Sequence, residues 1–448
     1  MSRKAFSLLV LVAIAALAAP ASAGARWTHP IPIESGPASP YAPQALAVAG
    51  RGDAAVAWET VRSQPPSSMW KKCAFEEPRP ATCNPIVTLK VAIWTANREK
   101  LIRTLWQQRV NPSIQIAVQI ARGEATVAWS YEELSGNAQT VRVAYGPLKG
   151  RWHPSRVLGH YSDLWFTGGR ESAYPQLALA PDGTVLAAWS ACRSVKACPR
   201  PTGGLELAWR SPGHGFGAPQ FVREAPEGAG PVFDVTGAAY LYSRCSGRVM
   251  LTAPRSRHFA RSVTLARGPV SELSLGTSGA GEGLATWVAG ACSSDQAVGN
   301  TPGAVLASTL RGGVFSPPQV LTPGGAQAYR ARSAAVPGGG IASWETTGSN
   351  GVAVPTTRFV GTPGPFAPIP SNSVPLTSTG GGDVLFTNAG IWPAAPGEQL
   401  VLPRRGAPAE PAPSVTGIMA ASPYARIAAD AWYSNGLKLS VWRSELLP

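Results

Sequence analysis

One short pattern recurs along the chain and limits what it can fold into: a glycine, then six residues later an aromatic that ends an apolar run. It occurs as Gly52 to Trp58 (GDAAVAW), Gly123 to Trp129 (GEATVAW), Gly183 to Trp189 (GTVLAAW), Gly281 to Trp287 (GEGLATW), Gly338 to Trp344 (GGGIASW) and Gly380 to Phe386 (GGGDVLF). Two looser copies are GAAYLY ending at Tyr242, one residue shorter, and RIAADAW ending at Trp432, where Arg426 takes the glycine position. A short alternating run such as ALAV (45–48), IQIAV (114–118) or LALA (177–180) stands before the glycine. Strand, glycine turn, strand is the signature of a β-hairpin, because glycine supplies the positive φ that tight turns need.

Each hairpin is followed by further strand signals. A third run reads VRVAY (141–145), LELAWRS (205–211), RVMLTA (248–253), AVLAS (304–308) and LKLSVWRS (437–444). A fourth opens with an aromatic just before a proline, in WHP (152–154), FGAP (216–219), FSPP (315–318) and FAP (366–368). Helical periodicity is absent throughout. Four antiparallel strands recurring about every 42 to 71 residues is the layout of a β-propeller, here an all-β fold of eight four-stranded blades. Seven is the alternative, because the copy at 374–412 is degenerate. The last copy runs out at SVWRSELLP with three strands, while ARWTHPIPI (25–33) has the aromatic-to-proline pattern of a fourth. The N-terminal strand is therefore expected to complete the last blade and remove an open sheet edge.

This layout resembles the propeller superfamily of bacterial sialidases and other Asp-box proteins over nearly the whole chain. The turns SPGHGF (211–216) and STLRGGVF (308–315) sit where that superfamily carries S-x-D-x-G-x-x-W, with Gly213 and Leu310 in the aspartate position. No arginine triad with a Tyr/Glu nucleophile pair stands in a recognisable setting. The resemblance thus implies the fold and not sialidase activity.

The first residues, MSRKAFSLLVLVAIAALAAPASAGA, carry Arg3 and Lys4, an apolar stretch from Ala5 to Ala19, and the small residues Ala21-Ser22-Ala23. This is the pattern of a secretory signal peptide over 1–23, leaving 24–448 as a single exported propeller domain with no membrane span. The formal charge of +14 falls to +12 once Arg3 and Lys4 are removed. A basic exported chain suits anionic polysaccharide, cell-wall polymer or a membrane surface. No basic run with interleaved aromatics points to nucleic acid.

Six cysteines in an exported chain favour disulfides: Cys73 with Cys83, Cys192 with Cys198, and by remainder Cys245 with Cys292. No C-x-x-C pair or histidine at ligand spacing suggests a metal, and nothing calls for a cofactor. All six fall on the propeller face formed by the loops joining second to third strands. The longest insertions, 61–85, 190–204 and 288–303, fall there too. Long stapled loops on one rim make a rigid binding surface.

On that rim Tyr41, Tyr174 and Tyr329 each stand just before a first strand, joined by Trp165, Phe166, Arg170 and Arg330. Rings beside guanidinium groups stack on sugars or grip acidic groups, while tyrosines at such places also simply plug gaps between blades. Glu59 and Glu345 occupy equivalent places after the strand-ending tryptophan, in WET both times, and are the weak candidates for an acid and base. Asp182, in the turn of the opposite face, is expected to form that turn, and His29 and His153 are expected on the surface. No G-x-S-x-G, phosphate loop or H-E-x-x-H occurs. The reading is a monomeric, non-catalytic secreted propeller that binds glycan, cell-wall polymer or protein through the stapled face. The alternative is a glycosidase or lyase using Glu59 or Glu345, and a third is a purely structural role.

Overall fold

The computed structural model describes residues 26–34, 44–62, 85–110, 114–133, 138–161, 175–191, 204–222, 230–242, 246–279, 281–290, 303–322, 327–347, 353–362, 373–380, 382–388, 399–402, 410–411, 418–421, 425, 427–433 and 437–443. Among them there is no helix, and the strands form eight antiparallel sheets taken in chain order. The first sheet holds Ala45–Val48, Ala54–Arg62, Ile86–Trp94 and Lys100–Arg109. The second holds Gln115–Ala121, Glu124–Glu132, Gln139–Pro147 and Arg156–Tyr161, and the third Gln176–Leu179, Val185–Ala191, Gly204–Arg210 and Gln220–Val222. The fourth runs from Gly230–Phe233 to Arg261–Thr264, and the seventh from Ser373–Ser378 to Glu410–Pro411. In the fifth, two short strands, Val314–Phe315 and Gln319–Val320, share the outer place beside Ala304–Arg311.

Besides the fifth, two sheets depart from the plain four-strand expectation. The sixth shows three strands, Ala328–Val336, Gly339–Thr347 and Ala353–Gly361; the expected fourth, at 366–368, lies outside the described residues. The eighth shows Ile418–Ala421, Ile427–Tyr433 and Leu437–Arg443, and the N-terminal strands Arg26–Trp27 and Ile31–Glu34 pair antiparallel with the last of these. The aromatic-to-proline signal of the sequence marks the entry to Ile31–Glu34, Arg156–Tyr161, Gln220–Val222 and Gln319–Val320 alike.

The repeated glycine does what its spacing implies. In five hairpins the same pair of backbone bonds closes the turn: Ala180 N donates to Thr184 O and Gly183 N to Ala180 O, with equivalents at Ala49, Asp234, Ser278 and Thr379. The turn glycine has φ of 87° at Gly52, 85° at Gly183, 81° at Gly237, 76° at Gly281 and 86° at Gly382. Asp182 is a turn former as expected, its carboxylate accepting from Thr184 N at 2.8 Å. Two details of the sequence alignment are corrected. The turn glycine before Phe386 is Gly382, not Gly380. Tyr242 is not the tryptophan equivalent: in both hairpins pairing resumes two residues past the glycine, as Phe233 with Ala239 and Leu179 with Val185. Tyr242 therefore matches Ala188 and, by the period of two, faces the opposite side from Trp189.

The core lies between the sheets. One apolar cluster joins the first and second sheets, and others join second to third, third to fourth, fourth to fifth, fifth to sixth and seventh to eighth. The sixth meets the seventh where Ser378 Oγ donates to Ala335 O. A further cluster packs Val48, Ala54, Val56 and Trp58 of the first sheet on Ala429, Ala431, Leu439 and Val441 of the eighth. The strand-ending tryptophans Trp58, Trp129, Trp189 and Trp287 are among the largest fully buried side chains. Each of the first three touches the outer strand of the preceding sheet: Trp58 Nε1 donates to Glu34 at 3.0 Å, Trp129 lies 6.3 Å from Trp106 centre to centre, and Trp189 Nε1 donates to the Tyr161 hydroxyl at 2.5 Å.

Candidate functional site

Two neighbouring inner strands break their register at one level. In the fifth sheet the shift lies between Ser271 and Ser274, and in the sixth between Tyr329 and Arg332. Two residues then oppose one on the second strand, and that one is the strand-ending tryptophan of the repeat, Trp287 or Trp344. The seventh sheet has a related irregularity between Pro375 and Thr377, beside Phe386. A β-bulge re-aims the side chains it carries. Here they are Glu272 and Arg330, with φ of 56° and 55°, a region that residues other than glycine seldom enter. Strain of this kind persists only where surrounding bonds over-determine it.

Those bonds are present. The Glu272 carboxylate accepts from Ala331 N at 3.2 Å, so the bulge of one sheet is tied to the bulge of the next. Two residues further along, Ser333 N donates to Ser274 Oγ at 3.2 Å and Ser333 Oγ to Leu284 O at 3.0 Å. Tyr329 and Glu345 face each other across the ladder. Arg330 Nη1 donates to Glu345 Oε2 at 3.1 Å, and its guanidinium lies 5.8 Å from the centre of the Tyr329 ring. The arginine is 63 % exposed and the glutamate 13 %, so the ion pair opens to solvent through its cation. Arg332, on the same strand, is exposed as well.

The predicted residues are thus partly brought together. Tyr329, Arg330 and Glu345 form one cluster, at the end of the sheet where the second strand leads to the third. Glu272 is tied to them through Ala331 N, and Arg332 stands on the same strand opposite Ser343; reading the sequence missed both, because a bulge leaves no mark on an alternating run. Tyr41, Trp165, Phe166, Arg170 and Tyr174 lie outside the described residues, as do Cys73, Cys83, Cys192, Cys198, Cys245 and Cys292.

Glu59 has a different setting from Glu345 despite the shared tripeptide. It is 1 % exposed. Burial raises its carboxyl above the usual range, opposed by hydrogen bonds from the Gln44 side chain and the Ile114 backbone. Its Oε2 has no hydrogen-bond partner among the described residues. Glu59 is enclosed between the first and second sheets, whereas Glu345 stands at a solvent edge. Among the described residues no group of three or more His, Cys, Asp or Glu is placed to hold a metal ion. No helix there is long and apolar enough to cross a membrane.

No family model matches the chain, and no curated protein matches its sequence. Among solved structures it is similar to an α-L-arabinanase from Penicillium chrysogenum at 10% identity and a TM-score of 0.41, over 93% of this chain and 98% of that one. A polysaccharide lyase acting on ulvan matches at 12% identity and a TM-score of 0.43, over 72% of this chain and 90% of that one. A Hadza microbial sialidase matches at 10% identity and a TM-score of 0.32, over 80% and 73%. Likenesses this low carry no conclusion about what this chain does.

Proposed function

We propose that the eight sheets are the blades of one closed propeller, exported by the leader over 1–23, which binds glycan without cleaving it at the mouth formed by the fifth and sixth sheets. Support for the ring comes from the packing of the eighth sheet on the first and from the N-terminal strands beside Leu437–Arg443. The observation that carries the binding reading is the pair of charged residues, Glu272 and Arg330, on tied left-handed bulges. Tyr329 offers a ring to the apolar face of a sugar, Arg330 and Arg332 offer donors for hydroxyl or acidic groups, and Glu272 and Glu345 accept from hydroxyls. Glu345, already held by Arg330, is poorly suited to proton transfer and well suited to fixing the guanidinium. In this reading the cysteines pair as disulfides that hold the surrounding loops.

A glycan array probed with the mature chain tests this. Binding that drops about tenfold or more in Arg330→Ala, with melting unchanged, and in Glu272→Ala, with melting lowered because the bond to Ala331 N is cut, is the expected result, since a hydrogen bond to a charged group is worth roughly 1.5–3 kcal/mol. Binding indifferent to both changes refutes the site.

A second reading, a carbohydrate-active enzyme, is favoured by Glu59, whose carboxyl is pushed up by burial, the direction that a general acid requires. Its enclosure speaks against it, because an acid must reach the bond it protonates. Hydrolysis or elimination of any bound glycan, abolished in Glu59→Gln, would establish that reading instead.

A further inference from the structure

The turn between the third and fourth strands of the first sheet repeats the hairpin turn bond for bond. Thr95 N donates to Glu99 O at 3.0 Å and Arg98 N to Thr95 O at 2.8 Å. Where the hairpins hold glycine, this turn holds Arg98, with φ of 65° and an exposed side chain. Glycine is the unstrained residue there, so the arginine is kept against strain, as are Arg122 and Arg255 in turns of the second and fourth sheets, with φ of 46° and 59°. Strain kept for the sake of a side chain points to a role for that side chain.

Its surroundings give the role a chemistry. Lys100 and Arg103 follow on the outer strand, and Lys149 and Arg151 stand on the matching turn of the second sheet. Lys149 pairs with Glu99, and Arg103 reaches the Gly150 carbonyl, so the two turns make one surface. The carboxylates bound into it are Glu99 and Asp53, the latter taken by Ala96 N at 2.8 Å, so cations outnumber them. Lys100 Nζ also donates to Pro32 O at 3.0 Å, and between it and Arg103 lie Leu101, 36 % exposed, and Ile102, 39 % exposed, which as successive strand residues flank the two faces of this outer edge. Charge on an outer strand also deters pairing with other strands, but that task needs neither a left-handed arginine nor exposed leucine and isoleucine.

We propose that this patch docks the chain on an anionic lipid surface, its cations meeting the phosphate groups while Leu101 and Ile102 enter the headgroup boundary. The apolar pair favours a bilayer over a soluble polyanion, which offers such side chains no place to be buried. The patch lies at the opposite end of the sheets from the Tyr329 to Glu345 cluster, and the inference does not depend on glycan binding there.

Co-sedimentation of the full mature chain with phosphatidylcholine vesicles, with and without phosphatidylglycerol, tests it. The expected result is binding that needs phosphatidylglycerol and weakens as salt rises. Arg98→Gly is expected to lower the partition about fivefold, the share of one cation near such a surface, while the chain melts no lower than wild type. The double change Leu101→Ser and Ile102→Ser is expected to weaken vesicle binding and leave binding to heparin untouched. Absence of phosphatidylglycerol-dependent binding overturns the proposal. So does vesicle binding that ignores the Leu101 and Ile102 changes, which would leave charge as the whole attraction and remove the preference for a bilayer over any soluble polyanion.

Discussion

Tyr161→Phe isolates one hydroxyl at the seam between the second and third sheets. That hydroxyl accepts from Trp189 Nε1 and donates to Glu206 Oε2, both at 2.5 Å. All three residues are buried, and the ring packs in the cluster that holds Leu158, Val185 and Trp189, where phenylalanine fills the same space. The change therefore removes polar contacts and almost no apolar ones. An indole N–H left buried without an acceptor costs about 1–3 kcal/mol, and a carboxylate that loses one donor loses about 1.5–3 kcal/mol. Glu206 keeps another interaction, which sets the expected total at roughly 3–4 kcal/mol rather than at the upper sum. Urea denaturation of both chains reads this as a lower midpoint at unchanged slope. A double-mutant cycle with Glu206→Gln is expected to return a coupling above about 1 kcal/mol, because the two groups share the bond being cut. A loss below about 1 kcal/mol for Tyr161→Phe would refute the reasoning: the seam would then be held by packing alone.

Two further changes test the turn and the buried carboxyl. Gly183→Ala and Gly123→Ala both place a Cβ at positive φ, φ of 85° and 80°, and each should lose roughly 1–2 kcal/mol for that alone. At Gly183 the Cβ also comes within 3.0 Å of Pro212 Cγ, whereas at Gly123 it meets nothing within 4 Å, so thermal melting should rank Gly183→Ala as the more damaging. Glu59→Gln removes a carboxyl whose folded pKa lies above its unfolded value, a group that favours the folded state at low pH and loses that contribution as pH rises through the folded pKa. Denaturation from pH 4 to pH 8 should therefore show wild type losing stability relative to Glu59→Gln as pH rises, and parallel curves would show that Glu59 ionises freely.

The parts of the fold that were legible in the sequence are those fixed by neighbours in the chain. A glycine in the left-handed region and a tryptophan six residues on mark a hairpin because both belong to the same two strands, and this carried the reading through Trp58, Trp129, Trp189, Trp287 and Trp344. What the tryptophan packs against was not legible. Glu34, Trp106 and Tyr161 all lie on the outer strand of the preceding sheet, Tyr161 two residues further along than the other two, and they share no residue type that a pattern could catch. The bulges escaped for a related reason. Register is a relation between strands, and the run AYRARSAAV gives no sign that Arg330 and Ala331 together oppose Trp344. Arg98 escaped because its turn is recognised by glycine, and the arginine occupies that place with the same hydrogen bonds.

The tripeptide WET shows how far local sequence reaches. Trp58-Glu59-Thr60 and Trp344-Glu345-Thr346 sit at the same point of the hairpin, so backbone position and strand face are equal for the two glutamates. Their chemistry is set by residues far along the chain. In the sixth sheet the inner strand bulges and carries Arg330, which pairs with Glu345 where the cation is open to water. In the first sheet Gln44 and the Ile114 backbone, both neutral, supply the bonds, and the second sheet covers the carboxyl, so burial pushes its pKa up. Exchanging the partners is the decisive step. With glutamine in place of Arg330, Glu345 loses the cation that balances it while staying close to solvent, so the loss of stability should stay within roughly 1 kcal/mol. Burial, and not the missing charge, is what separates the two sites.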